Sequence, residues 1–334
     1  MTIVPFFFGT GFGHVLARRP QRGRLWLAAL FVALLLTAVS FWLFALALLV
    51  PVAAAVDAYL CGRRAEEPFE LWHTDVAIHL GLVLGTILVV RTFAVEGFRI
   101  PSSSMYPTVQ IGDHIFVDKL TPRFHAIERG EVVLHAHPCE PDRIHIKRVI
   151  ALAGDTVEVR CGVVYVDGKA VPSQLDPGSC SYDDHDESTG QWFTKACSRY
   201  RETLDGHTYD TFSDVERPVR TGADPRDFPT RDKPFPPSCH GEDSYAAPNA
   251  LPQQPGQIVE TKDAASATAC EPQLHYVVPE GFFFALGDNR YNSNDSRYSG
   301  PIPMSAIKGR ALGVWLSDQG DHGGVRWDRI GPIR

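Results

Sequence analysis

A lysine set inside an apolar strand is the residue of this sequence with the largest chemical consequence. In "IHIKRVI", Ile144 to Ile150, Lys147 and Arg148 interrupt a β pattern. Alternation groups His145, Lys147 and Val149 on one face, and Ile144, Ile146, Arg148 and Ile150 on the other. The pattern does not say which face points inward, so either cation could be the exposed one. Burial would matter greatly for Lys147. Free lysine titrates near ~10.4, so fewer than about one in 10³ is neutral at pH 7. Desolvation disfavours the charged form and can lower that value by ~3–5 units. A neutral lysine can then take the proton of a serine hydroxyl and turn it into a nucleophile. Serines are on offer in "FRIPSSSMYPT", Phe98 to Thr108, and in the polar "GDNRYNSNDSRYSGPI", Gly287 to Ile302. Taken singly, these segments read as an exposed strand cation and two ordinary turns. In "HAHPC", His135, His137 and Cys139 offer metal-ligand atoms at short spacing. No fourth ligand is evident and Cys139 could instead pair in a disulfide, so no metal is expected.

Whatever these groups do, apolar segments near the N-terminus must place them. From Leu25 to Val56 there are 32 residues without a charge. As one helix the run would reach ~48 Å, against a hydrocarbon core of ~30 Å. A cleaved signal peptide has a shorter apolar region, roughly 7–15 residues. Arg18, Arg19, Arg22 and Arg24 precede the run, and Arg63 and Arg64 follow it. Arginines on both sides favour a hairpin of two short helices, turning near Thr37–Phe44, with both flanks in the cytoplasm. One long tilted span is the alternative. A further apolar stretch runs from Val76 to Val90 and, extended through Val95, crosses if Arg91 snorkels to the interface. Everything after Gly97 would then lie outside the cytoplasm. The expected organisation is a cytoplasmic terminus (1–24), a transmembrane hairpin or single span (25–60), a cytoplasmic loop (61–74), a transmembrane helix (75–95) and an extracytoplasmic domain (97–334).

Charge and cysteine use agree with that division. Residues 97–334 carry 25 basic against 33 acidic residues, which argues against a polyanion-binding surface and hence against nucleic acid as partner. Of seven cysteines, Cys61 falls in the proposed cytoplasmic loop. The other six, Cys139, Cys161, Cys180, Cys197, Cys239 and Cys270, fall in the external half, where an oxidising compartment permits disulfides. Short β patterns recur there: His114–Val117, Glu131–Leu134, Arg143–Leu152, Thr156–Arg160, Gly162–Val166, Lys169–Val171, Gly281–Leu286 and Gly309–Leu316. Asp167-Gly168 reads as a hairpin turn. Helical periodicity is scarce, so the fold class is mostly β, an antiparallel sheet preceded by N-terminal transmembrane helices. Between about 172 and 273 apolar periodicity fades. Its Pro-rich stretch "PFPPSCHGEDSYAAPNALPQQPGQ" reads as loop. Four of the external cysteines lie in this insert, and a segment with little core gains most from crosslinks.

Taken together and in order, the segments change the odds. A membrane anchor is followed by "IPSSSMYPT", "GDHIFVDK", "RGEVVL", "IKRVIALAGD" and "GDNRYNSNDSR". This succession resembles the bacterial type I signal peptidases (leader peptidases), membrane proteases that use a Ser/Lys dyad. It covers roughly residues 97–170 and 278–316, and a chance match to every motif is improbable in a way that a match to one is not. The resemblance implies a signal-peptidase-like catalytic domain on the periplasmic side of the bacterial inner membrane. Ser104 would be the nucleophile and Lys147 the general base. The hydroxyl of Ser102, with the Ser104 backbone N–H, would form the oxyanion hole, and Ser293 would orient the lysine. Asp288, Asp295 and Arg297 match a supporting polar cluster. Phe98, Ile100, Pro101, Met105 and Ile146 would wall shallow pockets for small residues at −1 and −3 from the cut. Secretory preproteins are the implied substrates, the lipid bilayer the implied surroundings, and no cofactor is implied.

Three departures stand out. Ser103 occupies a place where the family usually has glycine, and would be strained if its backbone needed positive φ. "ALAGD" replaces "GLPGD", and Tyr291 stands where Asp is frequent. The non-enzyme alternative, a membrane-anchored binding protein on a dead protease fold, fits poorly with Ser102, Ser104, Lys147 and Ser293 all being present.

Overall fold

A computed structural model describes residues 9–333 apart from 18, 64–72, 187–188, 216–221, 223, 233–248, 252–253, 255 and 319–322. Arg18, Arg64, Cys239 and most of the Pro-rich stretch lie outside the described residues.

The N-terminal part is helical: α1 (Phe12–Leu16), α2 (Pro20–Thr37), α3 (Phe44–Arg63) and α4 (His73–Phe93). Proline opens α2, where its missing N–H costs nothing. The uncharged run does not continue as one helix. It breaks after Thr37: Ser40 is extended, and a short 3-10 turn over Phe41–Leu43 leads into α3. Leu27, Leu30 and Ala33 of α2, Ala47 of α3 and Val83 of α4 meet in one buried cluster. The opposite faces leave Leu25, Val32, Leu49, Val52, Leu84 and Leu88 exposed, an apolar surface too extensive for a helix bundle in water. The segments Phe41–Arg63 and His73–Phe93 are long and apolar enough to cross a membrane. Arg91, in the last turn of α4, reaches out to Glu96.

Ala94 alone separates α4 from the β-structure. The main sheet has eight strands, all antiparallel to their neighbours: β1 (Val95–Arg99), β2 (Asp113–Asp118), β15 (Ile307–Ser317), β3 (Val132–Ala136), β4 (Ile144–Leu152), β13 (Phe282–Leu286) and β14 (Ile302–Pro303), in that order, with β16 (Gly331–Pro332) on β15. A second sheet has the order β11 (Gln257–Glu260), β12 (Leu274–Val277), β5 (Thr156–Arg160), β6 (Val163–Val166) and β7 (Lys169–Ala170). Asp167 and Gly168 both take positive φ, 51° and 72°, as a tight two-residue hairpin turn requires. The fold is therefore mostly antiparallel β behind N-terminal apolar helices, as expected.

The insert holds structure that its faded periodicity did not announce: among its described residues it contains a third sheet, β8 (Ser173–His185), β9 (Trp192–Leu204) and β10 (His207–Ser213). Most of β8 is exposed on both faces, so no apolar alternation announces it. Its register is pinned by other means. Cys180 and Cys197 are cross-strand partners joined by a disulfide, and Asp183 and Asp184 accept from Thr194 and Lys195 across the ladder. A second disulfide, Cys161–Cys270, ties the insert's end to the main body across 109 residues of chain. In a chain-entropy picture a loop that long is worth ~4–5 kcal/mol. Cys139 is also disulfide-bonded, which removes its thiol from the metal-ligand set considered for "HAHPC".

Candidate active site

β4 is the strand that positions the site. It lies between β3 and β13, with its central residues buried on both faces. The choice left open by alternation is thereby answered: neither cation is exposed. Lys147 is 3% accessible and Arg148 0%. Each meets a different need. Arg148 forms a two-pronged ion pair with Asp288, Nε to Oδ1 at 2.8 Å and Nη2 to Oδ2 at 2.6 Å. Its Nη1 donates to the Gly130 carbonyl, and its guanidinium lies 3.8 Å from the centre of the Tyr209 ring on β10.

Lys147 has no such pairing. Its Nζ lies 3.0 Å from Ser104 Oγ and 3.0 Å from the Ile146 carbonyl oxygen. Burial pushes the amine down from 10.5 to about 8. The carboxylates of Asp295 and Asp288 work against that fall, and Arg297 adds to it. His135, His137 and His145 sit on the same side, the last two with ring centres 4.6 Å apart. Burial first, then the Lys147 charge, holds all three below the usual histidine range.

Ser104 comes from the segment after β1. Its carbonyl accepts from the Asn289 N–H at 3.1 Å, and Asp288 N–H points at the Met105 sulfur. Gly287 is required here, because a Cβ would collide with Ser293 Oγ and the Ser104 carbonyl oxygen. Ser102 Oγ lies 3.4 Å from Ser104 Oγ. Ser103 is not among the residues with positive φ, so the strain considered for it does not arise. Ser293 is brought close but not to the expected contact. Its hydroxyl is buried and has no hydrogen-bond partner among the described residues. Asp295 accepts from the Gly287 N–H at 3.0 Å and from Arg297 Nε at 2.8 Å. Burial opposes its charge, yet Arg297 and that N–H hold its carboxyl below the ordinary range.

An open cleft of about 470 Å³ lies over Ser104 and Lys147. Pro101 and Ile146 line it, as expected of pocket walls. Ile100 and Met105 are instead buried in the core cluster beneath, with Phe98 packed against it. Other lining residues carried no signal in the sequence: Asp184, His185, Phe193 and Lys195 come from the β8–β9 ribbon of the insert. Asn292, also at the cleft, lies inside the "GDNRYNSNDSR" motif, so only its use was hidden. A serine hydroxyl, an amine able to lose its proton near neutrality and a groove beside them form an arrangement suited to acyl transfer.

Comparison with known proteins bears on the family of the chain. Residues 73–316 match the family model described as signal peptidase, peptidase S26. Signal peptidase I of Aquifex aeolicus is 28% identical over 252 residues, spanning 72% of this chain and 83% of that protein. Signal peptidase I of Pseudomonas aeruginosa is 29% identical over 265 residues, 70% of this chain and 69% of its own length. A solved signal peptidase I from Enterococcus faecalis overlaps 56% of this chain at 19% identity, with a TM-score of 0.25. Since the family model matches well over half of the chain, the chain belongs to the peptidase S26 family of signal peptidases and is a peptidase.

Proposed function

We propose that this chain is a membrane-bound serine endopeptidase that removes signal peptides from exported preproteins, with Ser104 as nucleophile and Lys147 as general base. The observation that carries the reading is the 3.0 Å approach of a buried amine, pushed down to about 8, to a serine hydroxyl at the floor of an open cleft. Neutral Lys147 takes the Ser104 proton as Oγ attacks the scissile carbonyl carbon. The tetrahedral oxyanion is met by the Ser104 N–H and the Ser102 hydroxyl, donors of a kind worth ~3–4 kcal/mol each in serine proteases. Collapse breaks the C–N bond, and the Lys147 ammonium returns its proton to the leaving amine. A water, deprotonated by Lys147, then attacks the ester and releases the signal peptide and Ser104.

Asp295, Arg297 and Asp288 hold the loop against which Ser104 rests, and Ser293 packs at its turn. Pro101 and Ile146 wall the groove for small −1 and −3 side chains, with Phe98, Ile100 and Met105 shaping it from below. The arginine flanks support a multi-pass anchor, with both ends of the first helical pair in the cytoplasm and the catalytic domain on the periplasmic side of the inner membrane. The disulfides Cys161–Cys270 and Cys180–Cys197 suit that oxidising side. The bilayer and secretory preproteins are the partners, and nucleic acid is not. In detergent, Ser104→Ala and Lys147→Ala are each expected to lower cleavage of a model preprotein by on the order of 10⁴-fold or more, as triad losses do. Substantial activity in either variant rejects the dyad.

A further inference from the structure

The insert reaches the nucleophile through hydrogen bonds that the chemistry above does not use. Ser103, between the two site serines, is 4% accessible, and its hydroxyl accepts from Asn292 Nδ2 at 2.8 Å. The other hydrogen of that amide goes to Asp184 Oδ2, also at 2.8 Å. Asp184 lies near the tip of β8, is itself buried, and is gripped by Lys195 Nζ of β9 at 2.9 Å. Its Oδ1 accepts from the His185 N–H.

The geometry allows one amide orientation. A side-chain NH₂ has two donors, and both are used here on oxygen acceptors; a flipped amide would put its own oxygen against the acceptor-only Asp184 carboxylate. The neighbouring asparagine works on the same residue. Asn289 Nδ2 donates to the Ser103 carbonyl at 3.1 Å, and its backbone N–H to the Ser104 carbonyl. Ser103 is thus held at both its polar ends by the loop after β13, and one of those holds is anchored in the insert. We propose that Asn292 and Asp184 are positioning residues, which fix the Ser102–Ser104 turn through the Ser103 hydroxyl and so make the β8–β9 ribbon part of the machinery that aims Ser104 at the scissile carbon. This rests on Ser104 being the nucleophile.

The alternative role for Asp184, direct contact with substrate in the cleft, makes the opposite kinetic prediction. Steady-state cleavage of a model preprotein with alanine at −1 and −3, by the full-length protein in detergent, separates the two. Asn292→Ala and Ser103→Ala are each expected to lower kcat about tenfold with KM within about twofold, inside the ~100-fold that a 1 Å misplacement can cost. The double variant should lose no more than either single one, because the same link is already cut. Asp184→Asn keeps an acceptor for Nδ2 and should retain kcat within about threefold, whereas Asp184→Ala should fall with Asn292→Ala. A raised KM at unchanged kcat, additive losses in the double variant, or unchanged kcat in Ser103→Ala would each overturn the proposal. Should Asn292→Ala fail to fold, Ser103→Ala and the two Asp184 variants still decide it. Ser104→Ala is run alongside. If it stays active, the dyad reading fails; if it is inactive while Asn292→Ala cleaves normally, only the positioning role fails.

Discussion

The sheet that carries Lys147 and the ribbon that leans over it are both antiparallel β-structure, yet different forces hold them. In the sheet, β3 and β13 are buried along their whole length, and Val133, Val149, Phe283 and Ala285 pack in one cluster. Burying a side chain of that kind contributes about 1.5–3 kcal/mol, so apolar contacts alone make a rigid frame. The ribbon has little such area. It is joined by cross-strand ion pairs, by Cys180–Cys197 and by a few contacts with the sheet. Its contacts with the rest of the domain include Arg290 with Glu202 at 2.7 Å, Arg148 over Tyr209, and Tyr106 against Tyr182 and Phe212, while Leu204 and Tyr209 join the apolar cluster of Ile150 and Phe284. The frame supplies a dry place for an amine. The ribbon supplies a wall whose residues can change without disturbing that dryness.

Replacing a buried pair is the strongest way to test the contrast. Arg148 and Asp288 are both wholly inaccessible. Arg148→Met leaves the Asp288 carboxylate buried and unpaired, which is expected to cost about 3–5 kcal/mol. Denaturant unfolding of the detergent-solubilised protein reads this directly. A loss under about 1 kcal/mol would mean that water reaches the pair, and that the frame is less dry than its packing implies.

The pH profile comes next. In the proposed mechanism Lys147 works only when neutral, and burial has moved its amine from 10.5 to about 8. Below that value the protonated fraction dominates, so kcat/KM should rise about tenfold per pH unit and level off above pH 8, a span of about a hundredfold from pH 6. The carboxylate of Asp295 pulls the amine's pKa upward, so Asp295→Asn should move the midpoint to lower pH. Changes in the ribbon should leave it where it is. A midpoint near 10 in the unaltered protein would place the amine in solvent.

Much of this was legible in the residues, for identifiable reasons. The central strands β2, β3, β4, β13 and β15 announced themselves because they bury apolar side chains, and Asp167-Gly168 because positive φ selects those types, whereas β1, with little burial, and the two-residue β14 and β16 left no such pattern. The break after Thr37 was legible from length and charge. Burial of Lys147 was not: alternation gives two faces, but a strand with neighbours on both edges and packing on both faces has no wet one. The meeting of Ser104 with Lys147 spans 43 residues of chain. No local rule contains it, and only the resemblance pointed there. The insert's strands were missed because their pairing rests on disulfides and charges, which leave no period in the sequence. Asp184 and Lys195 were invisible for the same reason, and Ser293, which the resemblance implies orients the lysine, has a buried hydroxyl without a hydrogen-bond partner among the described residues.

The smallest expected effect repeats the first test on an exposed pair, between the segment after β10 and β11 of the second sheet. Arg231 Nη1 lies 2.6 Å from Glu260 Oε1, a separation equal to that of the buried Arg148–Asp288 pair. Distance alone would rank the two alike. The side chains of this pair are 38% and 53% accessible, however, so water screens them and either group can be rehydrated when its partner is lost. Arg231→Ala should therefore change unfolding free energy by no more than about 1 kcal/mol, and less as salt is added, even though Arg231 also donates to Gln273 and the Lys262 carbonyl. The pH midpoint should not move, since this guanidinium is not among the charges acting on Lys147. A loss near that of Arg148→Met would show that this sheet edge is closed off from solvent in the folded protein, and the distinction between the dry Arg148–Asp288 pair and a water-screened one would have to be withdrawn.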